Sequence, residues 1–279
     1  MGAESLKMDP NEAHQGEPLP GVDTHAQVIA WASHSLRSRL LDTQVVADTP
    51  WSKVLRLRTQ DGVFYLKQPA QGFYLEVEVI HAFADLGLKE FLPEIVDQNA
   101  TLHCFLMKAG GDTTVRDVQD PRLRGSLFIQ SICIYSNMQK ITAARASTFL
   151  DIGVPDWRLE RLPRIFMRMI EDSTFMTANQ IDSSQIETLQ RLAPVISDLT
   201  TELGRYGLPA CLNQSDFHDN NVVWDRKTGR LCLIDLGEST VDHPFFRWPR
   251  RCGGFASVTT SKAEPVNTSA CRQHALRAG

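Results

Sequence analysis

Two short stretches decide the fold of this sequence: Asn213–Asn221, which is NQSDFHDNN, and Leu231–Glu238, which is LCLIDLGE. In the first stretch, Asp216 precedes Asn221 by five positions. In the second, an apolar run ends in Asp235, which Leu and Gly follow. An Asp and an Asn at this spacing are common by chance, but their combination with an apolar hairpin that ends in Asp-x-Gly is much rarer. The pattern therefore predicts that three oxygen-bearing side chains lie at the ends of adjacent strands.

This spacing is that of the catalytic loop and the metal-binding segment of kinases. Phosphoryl transfer needs charge neutralisation and alignment more than covalent help. Magnesium is a hard cation that prefers oxygen ligands and completes its shell with phosphate oxygens. We therefore predict that Asn221 and Asp235 bind Mg2+ and that Asp216 is the catalytic base, which accepts the proton of a substrate hydroxyl.

A kinase also needs a strand lysine that holds the nucleotide phosphates and a helix glutamate that holds this lysine. Lys67 ends the predicted strand from Val63, and the helix that follows offers Glu76 and Glu78. We favour Glu76, because Ile80 and Phe83 follow it at i+4 and i+7 on the same helix face. Lys67 and Glu76 are thus predicted to form the phosphate-binding pair.

A segment that ends in two glycines is predicted to join the two halves of the chain. It runs from Cys104 to Gly111 and leads from an apolar strand into the Gly110-Gly111 break. In this role, backbone N–H and C=O groups near Met107 and Ala109 would bind the edge of adenine. The alternative is an edge strand that leads into a loop.

The order of elements predicts an α+β protein with a small β-rich lobe and a larger, mainly helical lobe. An Asp-Gly step at residues 61–62 is a strong hairpin signal in the first lobe. Helices are expected at His25–Leu41, Phe73–Leu86, Gly125–Thr148 and Ser183–Tyr206. Strands are expected at Thr43–Ala47, Lys53–Thr59, Val63–Lys67, Glu94–Gln98, Leu102–Lys108, Ala210–Leu212, Asn221–Trp224 and Leu231–Ile234. The predicted parts are a disordered tail (1–22), a nucleotide-binding lobe (23–111), a catalytic lobe (112–246) and an irregular or disordered tail (247–279).

Composition narrows the function further. The 279 residues carry a net charge of −4, which gives no support for a nucleic-acid partner or an acidic membrane surface. The six cysteines form no CxxC pair, and four lie in apolar runs, as in a reduced intracellular protein. Because the N-terminus lacks a signal peptide pattern and no apolar run is long enough to span a membrane, we expect a cytoplasmic protein.

These residues resemble the aminoglycoside phosphotransferase family, which has a protein-kinase-like fold. The residues that carry the resemblance are Lys67, Glu76, Asp216, His218, Asn221 and Asp235. The family's loop has the form His-Gly-Asp-x-His-x-x-Asn, and the resemblance covers residues 25–246. It implies the bilobal fold, the use of ATP and magnesium, and a small hydroxylated substrate, but it does not name the substrate.

The sequence departs from the family pattern in its loops. Gln214 and Ser215 replace the opening His-Gly, and we expect a changed loop that can still form hydrogen bonds. No GxGxxG covers the phosphates. The strand connection is Asp48–Ser52, where the Ser52 hydroxyl and nearby backbone N–H groups could take that role.

The C-terminal segment departs from the pattern as well. Family members usually continue past the metal aspartate with helices that form a wall of the substrate pocket, whereas an unpatterned segment follows Phe246 here. We therefore expect a truncated or altered C-terminus. Together with Gln214, this leaves open a catalytically impaired pseudokinase that binds nucleotide or regulates a partner. A protein kinase that acts on serine or threonine is disfavoured, because the Ala-Pro-Glu signature is missing.

Overall fold

A computed structural model of the chain describes residues 24–70 and 73–245. The two predicted tails, 1–22 and 247–279, lie outside the described residues. The described part forms a β-rich N-terminal lobe and a mainly helical C-terminal lobe, so the predicted α+β bilobal fold is confirmed. Within these residues, no helix combines the length and the apolar character that crossing a bilayer requires.

The N-terminal lobe is built on a five-stranded antiparallel sheet with the strand order β1-β2-β3-β5-β4. Its strands are β1 (Leu40–Asp48), β2 (Ser52–Thr59), β3 (Gly62–Pro69), β4 (Ile95–Asn99) and β5 (Cys104–Lys108). The predicted hairpin turn joins β2 to β3, and Gly62 has a φ of 138°, which L side chains rarely adopt. Lys67 lies opposite Val54 and Phe105, in the middle strand of the sheet.

The first helix, α1 (Thr24–Leu36), is shorter than the sequence predicts. Arg37 has a φ of 49°, in the left-handed region that ends helices, and its N–H is donated to the carbonyl of His34. Leu40 already belongs to β1, so the prediction of helix up to Leu41 is wrong. Val28 of α1 packs into the core beneath the sheet.

The second helix, α2 (Glu76–Asp85), connects the cores of the two lobes. It begins three residues after the predicted Phe73, which lies in a 3-10 turn instead. Ile80 and Phe83 are buried on its inner face, in a cluster that also contains Phe149 of the C-terminal lobe. The rings of Phe83 and Phe149 lie 5.4 Å apart. This packing fixes the start of α2 relative to the second lobe.

The helices of the C-terminal lobe are α3 (Pro121–Ala143), α4 (Ala146–Asp151), α5 (Leu162–Glu171), α6 (Ser173–Ala178) and α7 (Ser183–Gly204). Asp120 caps α3 and Pro121 is its first residue, a typical helix start. The single helix predicted for 125–148 is wrong, because Arg145 has a φ of −133° and separates α3 from α4. The start of α7 at residue 183 agrees with the prediction, because Asp182 and Gln185 form a capping box there.

Five short strands hold the loops that carry the kinase-like motif. They are β6 (Thr113–Thr114), β7 (Cys211–Gln214), β8 (Val222–Trp224), β9 (Leu231–Leu233) and β10 (Ser239–Asp242). β7 pairs with β10, and β8 pairs with both β6 and β9. The chain therefore runs from β7 through the Asp216 loop to β8, and from β9 through Asp235 to β10. Both loops lie at the same ends of these antiparallel pairs.

The linker and the β8–β9 hairpin lie close to neighbouring backbone. A Cβ atom added at Gly111 would lie 2.6 Å from the backbone carbon of Trp224, so only glycine permits the linker to cross β8 this closely. Arg230 donates from Nε to the carbonyl of Glu90 and from Nη2 to that of Leu92, each at 2.6 Å. The hairpin of β8 and β9 is thereby attached to the segment before β4.

The buried cysteines are structural, as the sequence indicates. Cys104, Cys211 and Cys232 are buried free thiols, and burial raises the pKa of each to about 12. Such thiols stay protonated at neutral pH and are poor nucleophiles. Cys133 of α3 is half-buried.

Candidate active site

An ion pair between β3 and α2 forms the N-terminal half of the site. Lys67 Nζ lies 2.6 Å from Glu76 Oε2, and both side chains are buried. Glu78 is exposed on the other side of the helix. The expected partner of the lysine is thus Glu76, which shares its face of α2 with the buried side chains of Ile80 and Phe83.

The same lysine joins the two lobes. Lys67 Nζ also lies 2.6 Å from Oδ1 of Asp235, whose side chain is half exposed. Burial lowers the pKa of Lys67, but the carboxylates of Glu76 and Asp235 outweigh it. The pKa therefore lies above its ordinary value of 10.5, and the side chain is a cation at neutral pH. One ammonium group is held between a carboxylate of each lobe.

Glu76 is bound through both of its oxygens. Oε2 accepts from Lys67, and Oε1 accepts from the backbone N–H of Leu236 at 3.1 Å. Burial raises the pKa of Glu76, while the charge of Lys67 and these hydrogen bonds oppose this effect. The first residue of α2 is therefore attached to the Asp-x-Gly segment of the opposite lobe.

Asp235 has an unusual backbone conformation that Gln214 supports. Its φ of 63° and ψ of 56° lie in the left-handed region, which is uncommon for a residue other than glycine. Gln214 Nε2 donates to the carbonyls of Ile234 at 2.8 Å and of Asp235 at 2.7 Å. The backbone N–H of Gln214 is in turn donated to the hydroxyl of Tyr135 at 2.8 Å. The glutamine that replaces the family's histidine thus fixes this turn by two hydrogen bonds.

The Asp216 loop is held by its own side chains. Asn221 Nδ2 donates to the carbonyl of Asp216 at 3.0 Å, and the Asn221 N–H donates to the carbonyl of His218. His218 Nε2 lies 3.0 Å from Asp216 Oδ2. Phe217 stacks on Tyr135 with ring centroids 4.3 Å apart. These contacts fix the loop on α3 and leave the Asp216 carboxylate partly exposed.

A cavity of about 690 Å³ lies between the lobes, and its wall contains Lys67, Asp216, Asn221 and Asp235. The four principal residues predicted from the sequence are therefore brought together around one space. Among residues 24–70 and 73–245, no group of three or more His, Cys, Asp or Glu side chains could hold a metal ion by itself. One carboxylate and one amide oxygen instead fit Mg2+, which usually binds one or two carboxylates together with substrate phosphates.

The predicted adenine-binding segment forms another part of the wall. Met107 lines the cavity, and the wall continues through Lys108, Gly110 and Gly111. The N–H of Ala109 is donated to the carbonyl of Val63 at 3.0 Å, so it is not available to a nucleotide in this arrangement. A nucleotide bound against this segment would have to use backbone groups other than the Ala109 N–H.

Ser52, which the sequence predicts to take the role of the phosphate loop, lies in the cavity wall. It lines the cavity at the start of β2, and its N–H is already donated to Thr49 Oγ1. The Ser52 Oγ atom is buried and has no hydrogen-bond partner among the described residues. A buried hydroxyl without a hydrogen-bond partner is costly.

Sequence reasoning missed several supporting residues. Tyr135 of α3 contacts Gln214 and also donates from its hydroxyl to Asn213 Oδ1 at 3.1 Å. Arg116 reaches His218 from the turn after β6. No spacing rule connects these positions with the motif, because they lie far from it in sequence and reach it only through the fold.

The fold and this site define a class: a bilobal protein with a protein-kinase-like fold and a nucleotide-sized cleft. A family model described as "Phosphotransferase enzyme family" matches residues 43–247, and the chain belongs to this family, the aminoglycoside phosphotransferase family. No curated protein sequence matches the chain.

Solved structures share the fold. The chain is similar to the gentamicin complex of APH(2")-IIa, with 15% identity and a TM-score of 0.55 over 80% of this chain and 73% of that one. It is similar to choline kinase LicA from Streptococcus pneumoniae, with 14% identity and a TM-score of 0.53 over 88% and 84%. It is also similar to the GDP complex of aminoglycoside 2'-phosphotransferase-IIIa, with 12% identity and a TM-score of 0.55 over 81% and 77%. At these identities the likeness shows the fold alone.

Proposed function

We propose that the protein is an ATP-dependent phosphotransferase that moves the γ-phosphate of ATP to a hydroxyl group of a small molecule. The observation that carries this proposal is the cavity between the lobes. Its wall brings the cation of Lys67 together with the carboxylate of Asp216 and the two oxygen ligands predicted for Mg2+. Membership of a phosphotransferase family supports the same reaction type.

In the proposed reaction, Asp216 accepts the proton of the acceptor hydroxyl while the acceptor oxygen attacks the γ-phosphorus. A bond forms between this oxygen and the phosphorus, the bond to the bridging oxygen breaks, and ADP leaves with the electron pair. Asp216 suits the role of base because its carboxylate lies in the cavity wall and is partly exposed. General base catalysis of this kind contributes roughly 10²–10⁴-fold to a rate.

The remaining residues would hold the nucleotide. Asn221 and Asp235 would bind Mg2+, which when present neutralises charge on the phosphate oxygens. Lys67 would donate to the phosphates, held in place by Glu76. Ser52 would donate its unpartnered hydroxyl to a phosphate oxygen.

The nucleobase would lie against the linker. We propose that it contacts the backbone near Met107 and the carbonyl of Ala109, since the N–H of Ala109 is engaged in the sheet. ATP stays the predicted nucleotide. GTP is the alternative to test beside it, because one structural neighbour is a GDP complex.

The acceptor is proposed to be a hydroxylated and cationic small molecule. Carboxylates of Asp112, Asp117 and Glu238 also line the cavity, and carboxylates attract a cationic acceptor. One similar structure contains gentamicin and another is a choline kinase. A screen of acceptors should therefore begin with aminoglycosides and choline-like alcohols, followed by neutral sugars and homoserine.

Thermal unfolding with magnesium-ATP and ATP consumption over the acceptor screen test the proposal together. Asp216→Ala should abolish turnover while ATP binding is retained. Asp235→Ala should weaken magnesium-dependent ATP binding, whereas Glu78→Gln, an exposed change beside the site, should alter neither. Turnover by Asp216→Ala equal to that of the unchanged protein would refute the assigned base.

Stabilisation by magnesium-ATP without turnover on any acceptor would favour the pseudokinase. The hydrogen bonds of Gln214 count against that reading, because they supply a brace where the family has histidine.

A cytoplasmic location and the absence of nucleic-acid and membrane partners stay predictions, which fractionation of cells would test. The buried free thiols of Cys104, Cys211 and Cys232 support a reducing compartment.

A further inference from the structure

The imidazole of His218 lies between the proposed base and an arginine from a distant part of the chain. Its Nε2 atom is 3.0 Å from Asp216 Oδ2. Its Nδ1 atom accepts from the backbone N–H of Asn220 at 3.0 Å and lies 3.2 Å from Nη2 of Arg116. His218 is buried, so these three neighbours determine which of its ring nitrogens carries the proton.

The partners of His218 fix its tautomer. A neutral imidazole has one nitrogen that donates and one that accepts. The Asn220 N–H and the Arg116 guanidinium can only donate, so Nδ1 must be the accepting nitrogen. The ring proton is then on Nε2, and it is donated to Asp216 Oδ2.

Arg116 is itself held in place. Its Nε and Nη2 atoms donate to Asp219 Oδ1 at 3.0 and 2.8 Å, and its backbone N–H is donated to the carbonyl of Asp219. The guanidinium therefore has a fixed position in which Nη2 also reaches the imidazole of His218. Arg116 precedes His218 by 102 positions and lies in the turn that follows β6.

We propose that His218 and Arg116 are positioning residues for the reaction. Arg116 acts through His218: it helps to hold Nδ1 as an acceptor, so that the Nε2–H bond holds the Asp216 carboxylate in its orientation toward the cavity. This inference rests on the proposed function, because it gives Asp216 the role of base. Neither residue needs to contact the substrate.

The proposal predicts an effect on kcat more than on KM for magnesium-ATP. A misplacement of about 1 Å at a reacting group can cost about 10²-fold in rate. Loss of the imidazole in His218→Phe should therefore lower kcat by about 10- to 100-fold. Arg116→Met, which keeps the length but cannot donate, should lower kcat by roughly 3- to 10-fold, since the Asn220 N–H still binds Nδ1.

A double-mutant cycle separates a path through His218 from a general effect on stability. If Arg116 acts through His218, Arg116→Met should have no further effect on kcat when it is added to His218→Phe. Glu78→Gln is the control: it removes a charge from an exposed side chain of α2 in the other lobe, and kcat should change less than about twofold. Each rate is measured as hydrolysis of magnesium-ATP with water as acceptor, and with any acceptor that the screen identifies.

A spectroscopic measurement tests the tautomer without turnover. In protein with 15N-labelled histidine, long-range proton–nitrogen correlation spectra distinguish a protonated ring nitrogen from an accepting one. The signal that disappears in His218→Phe should show a protonated Nε2 and an accepting Nδ1. A protonated Nδ1 would overturn the proposal.

The outcomes also separate this inference from the proposed function. If Asp216→Ala abolishes turnover but His218→Phe keeps its kcat, the positioning role fails and the proposed function stands. The positioning role also fails if the effects of Arg116→Met and His218→Phe on kcat multiply. If the unchanged protein turns over no ATP while His218 has the expected tautomer, the proposed function fails although the geometry is right, and the positioning role fails with it.

Discussion

The buried pair of Lys67 and Glu76 allows a quantitative test of the contact between the lobes. In Lys67→Met, the fully buried Glu76 carboxylate keeps the N–H of Leu236 but loses its cation. Removal of one partner of a buried pair costs about 3–5 kcal/mol. The carboxylate can limit this cost by binding a proton. From its ordinary pKa of 4.5 to pH 7, protonation costs about 3.4 kcal/mol, at about 1.4 kcal/mol per pH unit.

We therefore expect Lys67→Met to lose about 3 kcal/mol in the free energy of unfolding at pH 7, and this loss to depend on pH. Burial places the pKa of Glu76 in the folded variant above its ordinary value. At a pH between the pKa of Glu76 in the unfolded chain and its higher pKa in the folded variant, the folded state binds more protons. The free energy of unfolding therefore rises as the pH falls from 7 toward 4.5. The rise is at most about 1.4 kcal/mol per pH unit.

The matched control is the double variant Lys67→Met/Glu76→Gln. It lacks the same lysine but has no carboxyl group that can titrate. Urea unfolding of both variants at pH 5, 6 and 7, followed by circular dichroism, gives the difference in free energy of unfolding. This difference should be largest at pH 7 and should shrink toward pH 5. An equal difference at all three pH values would refute the claim that an uncompensated buried carboxylate causes the loss.

Three further predictions concern other parts of the fold. Gln214→Leu removes both hydrogen bonds to the backbone at the Asp235 turn and should cost about 1–3 kcal/mol. It should also weaken magnesium-dependent ATP binding, measured by calorimetry. Unchanged binding would contradict the role of Gln214 in holding the Asp235 turn. Gly111→Ala places a Cβ against fixed backbone and should destabilise by about 1–3 kcal/mol, whereas Gly125→Ala, which meets nothing within 4 Å in α3, should stabilise by about 0.5–1 kcal/mol. Thermal melts that shift alike for both would contradict this. The hydrogen bonds of Arg158 hold the pKa of Asp156 below its ordinary value of 3.8. Its stabilising contribution is therefore present above this pH and lost as the pH falls below it. In urea unfolding, Asp156→Asn should be less stable than the unchanged protein at pH 6, and this deficit should shrink only below about pH 4.

The parts of the fold with strong local signals were predictable from sequence. The β2–β3 hairpin has an Asp-Gly turn, and α7 has a capping box, so both are determined by neighbouring residues. Helices α5 and α6 were not predicted. The apolar residues of α5 lie on one face, but α5 has only ten residues and α6 only six, so neither repeats its pattern over a long stretch. The break between α3 and α4 was also missed, because the apolar pattern continues across it.

The four principal residues of the cavity wall, Lys67, Asp216, Asn221 and Asp235, were predictable because each follows a local rule. Lys67 ends an apolar strand segment, and Glu76 was separated from Glu78 by the buried positions that follow it. It was not predictable that the Ala109 N–H is already hydrogen-bonded within the sheet. Its acceptor is Val63, on the neighbouring strand, and only the sheet register reveals that pairing.

The supporting contacts show where sequence reasoning stops. The motif places His218 two positions after Asp216, but the motif alone gives the ring either tautomer. The choice depends on donors that approach Nδ1, and one of them is Arg116, which reaches the ring only because β6 pairs with β8. A residue that acts through another side chain leaves no spacing pattern of its own. The principal residues of the cavity wall can therefore be predicted from one sequence, whereas the residues that hold them in place require the three-dimensional structure.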